Sequence, residues 1–234
     1  MKKYGKKYKA ALEKISGKEN LSLNEAADLV VQTSTTKFDS SVELHMNLGV
    51  DPKHADQIVR GVVVLPHGTG KTVRVAAFVS DENKDAAKKA GADLVGIDDL
   101  VEQVSKGKID FDIAVATPDA MKSLGKIART LGQKGLMPNP KAGTVTQDFE
   151  KAIGELKKGR VEFKTDKTGI IHVSIGKVSF GGAKILENLK TIMSSILDKK
   201  PASIKNTYVN SVSLATTMGP GVSIDVNEAY SVNK

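Results

Sequence analysis

The chain has no cysteine and no tryptophan. Without thiols it can form neither disulfides nor a thiolate metal site, and it lacks a cysteine nucleophile, a composition that suits the cytoplasm. Aromatic residues make up only 4% of its 234 residues, too few for a broad base-stacking platform of the kind that grips single strands. No apolar run approaches the ~20 residues of a spanning helix. The basic opening MKKYGKKYKAALEKI is not followed by the apolar stretch of a signal peptide. Four histidines, at 45, 54, 67 and 172, lie far apart, with no HExxH or paired-carboxylate spacing, and no serine sits in a GxSxG elbow. Neither an enzyme nor a membrane partner is indicated, and no cofactor or metal is expected.

What the chain does have is positive charge. Lys and Arg total 35 against 27 Asp and Glu, a net charge of +8 with a sequence pI near 9.4, and Lys far outnumbers Arg. That balance favours a polyanion, most simply nucleic acid, because neutralising phosphates releases counterions. With few aromatics, contact with folded RNA or duplex through hydroxyls and cations fits better than stacking. The length suits two domains.

Along the chain, Lys2, Lys3, Lys6, Lys7 and Lys9 form a cationic arm before a short helix over 10–15. The arm reads equally as a solvated tail or as a phosphate contact. Ser22 and Glu25 have capping-box spacing, which predicts a helix from Leu23 to Thr33. Residues 37–49 alternate: Phe38, Val42, Leu44, Met46 and Leu48 share one parity, and Asp39, Ser41, Glu43, His45 and Asn47 the other, as in a half-exposed strand. A second, more buried strand is predicted at 61–65. From 73 to 157 short strands (73–79, 93–96, 113–116) alternate with helices (84–90, 98–105, 120–131, 149–157), the signature of a small parallel sheet covered by helices. On the helix at 120–131, Lys122, Lys126 and Arg129 lie opposite Leu124, Ile127 and Leu131. Strands at 161–164 and 170–175 then flank Asp166-Lys-Thr-Gly169, a hairpin signal, and an amphipathic helix spans 183–197. Neither flank alone closes a core, so residues 1–66 are expected to fold with 160–234 as a discontinuous domain, with 67–159 inserted. The crossings are Gly-rich, which makes a hinge plausible.

The chain is organised around Ser211–Gly221, SVSLATTMGPG. Val212 and Leu214 alternate with Ser211 and Ser213, a strand with one buried face and one face of small hydroxyls. Thr216, Thr217, Met218 and Gly219 lead into Pro220, which ends it. By parity, His172 and Ser174 face away from Ile171, Val173 and Ile175. If these strands are neighbours, Glu43, His172, Ser174, Ser211 and Thr217 form one wet patch, as they would on the solvent face of any antiparallel sheet. The segment His67-Gly-Thr-Gly-Lys-Thr72 resembles the tail of a phosphate-cradling loop, which would make a nucleotide-dependent switch. The full pattern needs a glycine at 65, where this chain has Leu, so a hinge with a solvated lysine is preferred.

Several stretches together are similar to one family. They are Lys37-Phe-Asp with Val42-Glu-Leu-His, Arg60-Gly, Leu65-Pro-His-Gly, Ala116-Thr-Pro-Asp, the run Gly132 to Val145 (GQKGLMPNPKAGTV), Asp166-Lys-Thr-Gly with Ile171-His172, and Thr216-Thr-Met-Gly-Pro220. The chain resembles the bacterial large-subunit ribosomal protein L one family, that of the mobile stalk beside the exit site. The resemblance implies a non-enzymatic α/β protein of two domains: a discontinuous α+β RNA-binding domain with a mostly antiparallel sheet, and an inserted Rossmann-like α/β domain. It implies large-subunit rRNA as partner, contact with exit-site tRNA at unassigned residues, and repression of its own operon through the mRNA leader. It further implies a cytoplasmic, ribosomal location, a monomer when free, and no DNA partner. By position it carries Lys37, Phe38, Glu43, Ser211, Thr217, Met218 and Gly219 over as RNA contacts, to which parity adds His172 and Ser174. For Phe38 resemblance and parity disagree, and the resemblance is preferred.

Overall fold

The lysine-rich opening is helical from Lys6. α1 spans Lys6–Ile15, beginning earlier than expected, with Lys6, Lys7 and Lys9 exposed. The computed structural model describes residues 4–18, 20–204 and 207–231, so Lys2 and Lys3 of the cationic arm lie outside the described residues. α2, Leu23–Gln32, starts at the capping box its sequence predicts: the Ser22 hydroxyl accepts from the Glu25 N–H at 3.4 Å, and the Glu25 carboxylate accepts from the Ser22 N–H at 3.2 Å.

β1, Ser41–Leu48, alternates as read. Val42, Leu44, Met46 and Leu48 are at most 2% exposed, and each such side chain contributes about 2 kcal/mol on burial. The strand begins only at Ser41, so the parity of Phe38 never applied, and its ring is 61% exposed. β2, Arg60–Val64, is a correction: it is half-exposed rather than buried. Its run of valines lies in a separate two-stranded sheet with β6, Arg160–Lys164.

The chain divides into two compact units, one of Met1–Gly70 with Val161–Lys234 and one of Lys71–Arg160. The second unit contains β3 (Val75–Phe78), α3 (Lys84–Lys89), β4 (Leu94–Val95), α4 (Asp98–Ser105), β5 (Ile113–Ala116), α5 (Ala120–Leu124), α6 (Ala128–Gln133) and α7 (Phe149–Lys157). The strands form a parallel sheet in the order β4-β3-β5. Ala76 and Phe78 pack with Leu100, Leu124 and Leu131 on one face, and Val75 and Ala77 with Ala87, Ile153 and Leu156 on the other. The helix expected at 120–131 is broken by a 3₁₀ turn, Gly125–Ile127. Lys122, Lys126 and Arg129 are nevertheless exposed opposite buried Leu124, Ile127 and Leu131, because the turn preserves the side each residue faces.

The run Gly132–Val145 closes this unit's sheet edge. Ala116 donates its N–H to the Thr144 carbonyl at 2.9 Å, and Thr146 donates back to the Ala116 carbonyl at 3.1 Å. Gly143 adopts φ +64°, and a Cβ there would collide with the Arg160 guanidinium, which donates to the Ala142 carbonyl at 2.7 Å. The left-handed backbone, more than the movable guanidinium, is what requires the motif's glycine.

In the first unit β7 (Ile170–Lys177), α8 (Gly181–Asp198), β8 (Val209–Thr216), β9 (Gly221–Ile224) and α9 (Val226–Ser231) complete the fold. The sheet runs β7-β1-β8-β9, antiparallel throughout. α2 and α8 supply Leu29, Val30, Ile185, Leu189, Ile192 and Ile196 to the core on one face. The hairpin expected around Asp166–Gly169 is only a turn. β6 and β7 join different sheets and meet at one bridge, Thr165 to Ile171. Among the described residues no helix is long and apolar enough to cross a membrane.

Candidate RNA-binding face

One side of the four-stranded sheet carries no helix-facing side chains, and it is polar because the strands alternate. Ser41, Glu43, His45 and Asn47 of β1 share it with His172 and Ser174 of β7 and with Ser211 and Ser213 of β8. The register places Glu43 opposite Ser174 and Ala215, His45 opposite His172 and Ser213, and Asn47 opposite Ser211. A bulge between Val42 and Glu43 leaves Ile175 unmatched on β7, so Lys177, and not Gly176, pairs with Ser41.

At one end of this face two segments meet. The Thr217 N–H donates to the Ser41 carbonyl at 3.0 Å, and the Ser41 N–H donates to the Thr217 hydroxyl at 3.1 Å. Lys177 donates to the Ser41 hydroxyl at 3.0 Å and to the Asp39 carbonyl at 3.3 Å. Asp39 accepts from the Ser179 hydroxyl at 2.7 Å and its N–H at 3.0 Å, bonds that hold its carboxyl below the usual range. Around this clasp Lys37 and Phe38 project into solvent from one side and Met218 from the other, Met218 being 76% exposed at φ +64°. Gly219 is half-buried in the same turn, and a Cβ on it would collide with the Thr216 hydroxyl.

Lys37, Phe38, Thr217, Met218 and Gly219 therefore cluster at one rim. Glu43 and Ser174 lie opposite each other further in, although the Ser174 hydroxyl is buried and has no hydrogen-bond partner among the described residues. Ser211 is exposed but lies six residues from Thr217 along the chain, about 20 Å away, on the far half of the face, while His172 sits near its middle. The proposed set thus spans the whole face. Ser41, His45, Asn47, Ser213 and Lys177 share it without having been proposed as contacts. All but Lys177 have the right parity in sequence, while Lys177 reaches the face only through the bulge.

His45 and His172 place their Nδ1 atoms 2.8 Å apart. Burial, and then the neighbouring His172, push the His45 pKa down, with Glu43 opposing. Asp166 accepts from the N–H groups of Ile170 and Thr168 and from the Thr168 hydroxyl, all within 2.8 Å. These bonds lower its pKa to about 2.

The segment Gly68–Thr72 leads into β3 rather than into a helix, so it lacks the helix N-terminus that a phosphate-cradling loop uses. Among the described residues no group of three or more His, Asp or Glu could hold a metal.

A polar antiparallel face, with lysines and two exposed apolar side chains at its rim on an α/β protein of net charge +8, is of the class suited to binding nucleic acid. More particularly, the chain belongs to the ribosomal protein L1p/L10e family, whose profile matches residues 30–220. It is similar to the protein named large ribosomal subunit protein uL1 of Solidesulfovibrio magneticus, 52% identical over 225 residues that cover 96% of each chain. The protein is accordingly a structural, non-enzymatic, RNA-binding component of the ribosome, in the cytoplasm.

Proposed function

We propose that the protein binds a folded segment of large-subunit rRNA with the open face of its antiparallel sheet, forms the mobile stalk, and assists release of exit-site tRNA. The same face binds the mRNA leader of its own operon and represses its translation. The observation that carries the reading is the rim. Phe38 and Met218 stand exposed beside the Thr217–Ser41 clasp, where apolar contact to a base or ribose adjoins hydroxyl and ammonium donors. Such a face reads the 2′-hydroxyls and shape of a shallow RNA groove, and the lysines supply the salt-dependent share.

Mobility-shift titration against fragments of large-subunit rRNA, with unrelated RNA as competitor, tests it. One fragment is expected to bind with affinity that survives competition, and a transcript of the protein's own leader to displace it. Equal displacement by unrelated RNA would leave only a non-specific basic scaffold. Heat on titration with ATP or GTP would instead favour a nucleotide switch.

A further inference from the structure

At the middle of the sheet face, His45 and His172 are cross-strand partners whose rings sit edge-on, centroids 5.0 Å apart at an interplanar angle of 64°. With Nδ1 to Nδ1 at 2.8 Å, two lone pairs or two N–H groups cannot face each other, so one ring donates and the other accepts. Two states satisfy this. In the neutral state one ring is the Nδ1–H tautomer and the other the Nε2–H tautomer. In the singly charged state an imidazolium donates to its neutral partner. A second added proton would set two N–H groups head-on between two cations, which breaks the pair. The rung therefore takes up one proton and no more.

The surrounding charges decide what that proton does. Glu43 lies two residues away on the same face of β1. Asp166, in the turn before β7, places its carboxylate 3.7 Å from His172 Nε2 beside exposed Lys167. β8, on the other side of β1, contributes only Ser211, Ser213 and Ala215, none of which titrates. Lys177, at the far end of β7, is engaged by Ser41 and Asp39. With the histidines neutral, the middle of an RNA-facing surface presents two carboxylates and only the peripheral Lys167, an arrangement that repels a phosphate. One added proton, held by the pair as a whole, places a cation between those carboxylates, open to solvent on the side of His172, whose side chain is 52% exposed.

We infer that the His45–His172 rung is a phosphate-recognition site that binds one backbone phosphate of the RNA with uptake of one proton from solvent. The inference rests on the reading of this face as the RNA-binding surface. A phosphate favours the charged rung, so affinity rises as pH falls, by at most tenfold per pH unit. The dependence flattens below the pKa of the free rung and above that of the bound one.

The test is calorimetric titration of the full chain with a large-subunit rRNA fragment in buffers of different ionisation enthalpy, from pH 5.5 to 8.5 at fixed ionic strength. The expected result is uptake of up to one proton per complex near neutral pH. That uptake is lost in both His45→Gln and His172→Gln, and with it the rise in affinity as pH falls from 8.5 to 5.5. Uptake that persists in both variants belongs to the RNA and overturns the inference. Specific binding with no uptake by the parent protein also overturns it, needs no variant, and leaves the RNA-binding face standing. Absence of binding at every pH removes both.

Discussion

The hydroxyl of Thr216 occupies the space that a side chain on Gly219 would need, while the Gly219 N–H donates to the Thr216 carbonyl at 2.8 Å. Gly219 is therefore held by its own protein before any RNA arrives. Gly219→Ala is expected to distort the turn at a cost of about 1–3 kcal/mol and to weaken RNA binding by displacing Met218. Thr216→Ala removes the obstruction, and its own cost is small because that buried hydroxyl has no partner among the described residues. The double variant should recover most of the lost affinity in a filter-binding titration. If it binds as poorly as Gly219→Ala alone, glycine acts instead by letting the RNA backbone come close.

That internal role was not legible in the sequence, whereas much of the scaffold was. Alternation over Val42–Leu48, the Ser22–Glu25 box and the span Asp98–Ser105 follow from local periodicity and capping, which short stretches carry in full. What failed depended on distant partners. Asp166–Gly169 encodes a turn but not the sheets its flanking strands enter, and Val62–Val64 reads as core although its sheet has only two strands. Parity alone would bury Phe38, because it extends the alternation past the strand's true start at Ser41, whereas the preferred resemblance needs the exposed ring that the fold shows. Lys177 was missed because a bulge changes the count, and a bulge leaves no mark in alternation.

Asn188 is fully buried on α8 and ties three backbone groups together. It accepts from the His67 N–H at 3.1 Å and donates to the carbonyls of Gly68 at 3.0 Å and Ile175 at 2.7 Å. Asn188→Ala leaves these without that partner and is expected to cost about 3 kcal/mol or more, read as a lower urea midpoint of the full chain. Amide exchange at His67 should accelerate well beyond that of Leu44. An unchanged midpoint would mean the loop finds other partners.

Met218 holds a left-handed backbone that glycine adopts without strain, and its side chain lies in solvent. Met218→Gly should therefore leave thermal stability equal or higher while weakening RNA binding. Phe38→Ala should likewise spare stability, since the ring is exposed, and weaken binding by about 1–2 kcal/mol if the ring stacks on a base. Thermal melts beside mobility shifts on the same preparations separate the two effects. Lower melting temperatures for both variants would mean that these side chains serve the fold.

Asp166 offers a pH prediction whose direction is fixed by its hydrogen bonds. The N–H groups of Ile170 and Thr168 favour the ionised carboxylate and lower its pKa from the ordinary 3.8 to about 2. A depressed folded-state pKa contributes stability that is fully present above the ordinary value and is lost as pH falls through the folded one. The turn should therefore stay intact from neutral pH down to about 4 and loosen only between there and about 2. Amide shifts of Thr168 and Ile170, followed by NMR across that range, should titrate together with a midpoint near 2. Asp166→Asn keeps an acceptor but no charge and should flatten that titration. A midpoint at the ordinary carboxylate value in the parent protein would mean the bonds are too weak to bias the proton. His172 would then lose the anion beside it at correspondingly higher pH.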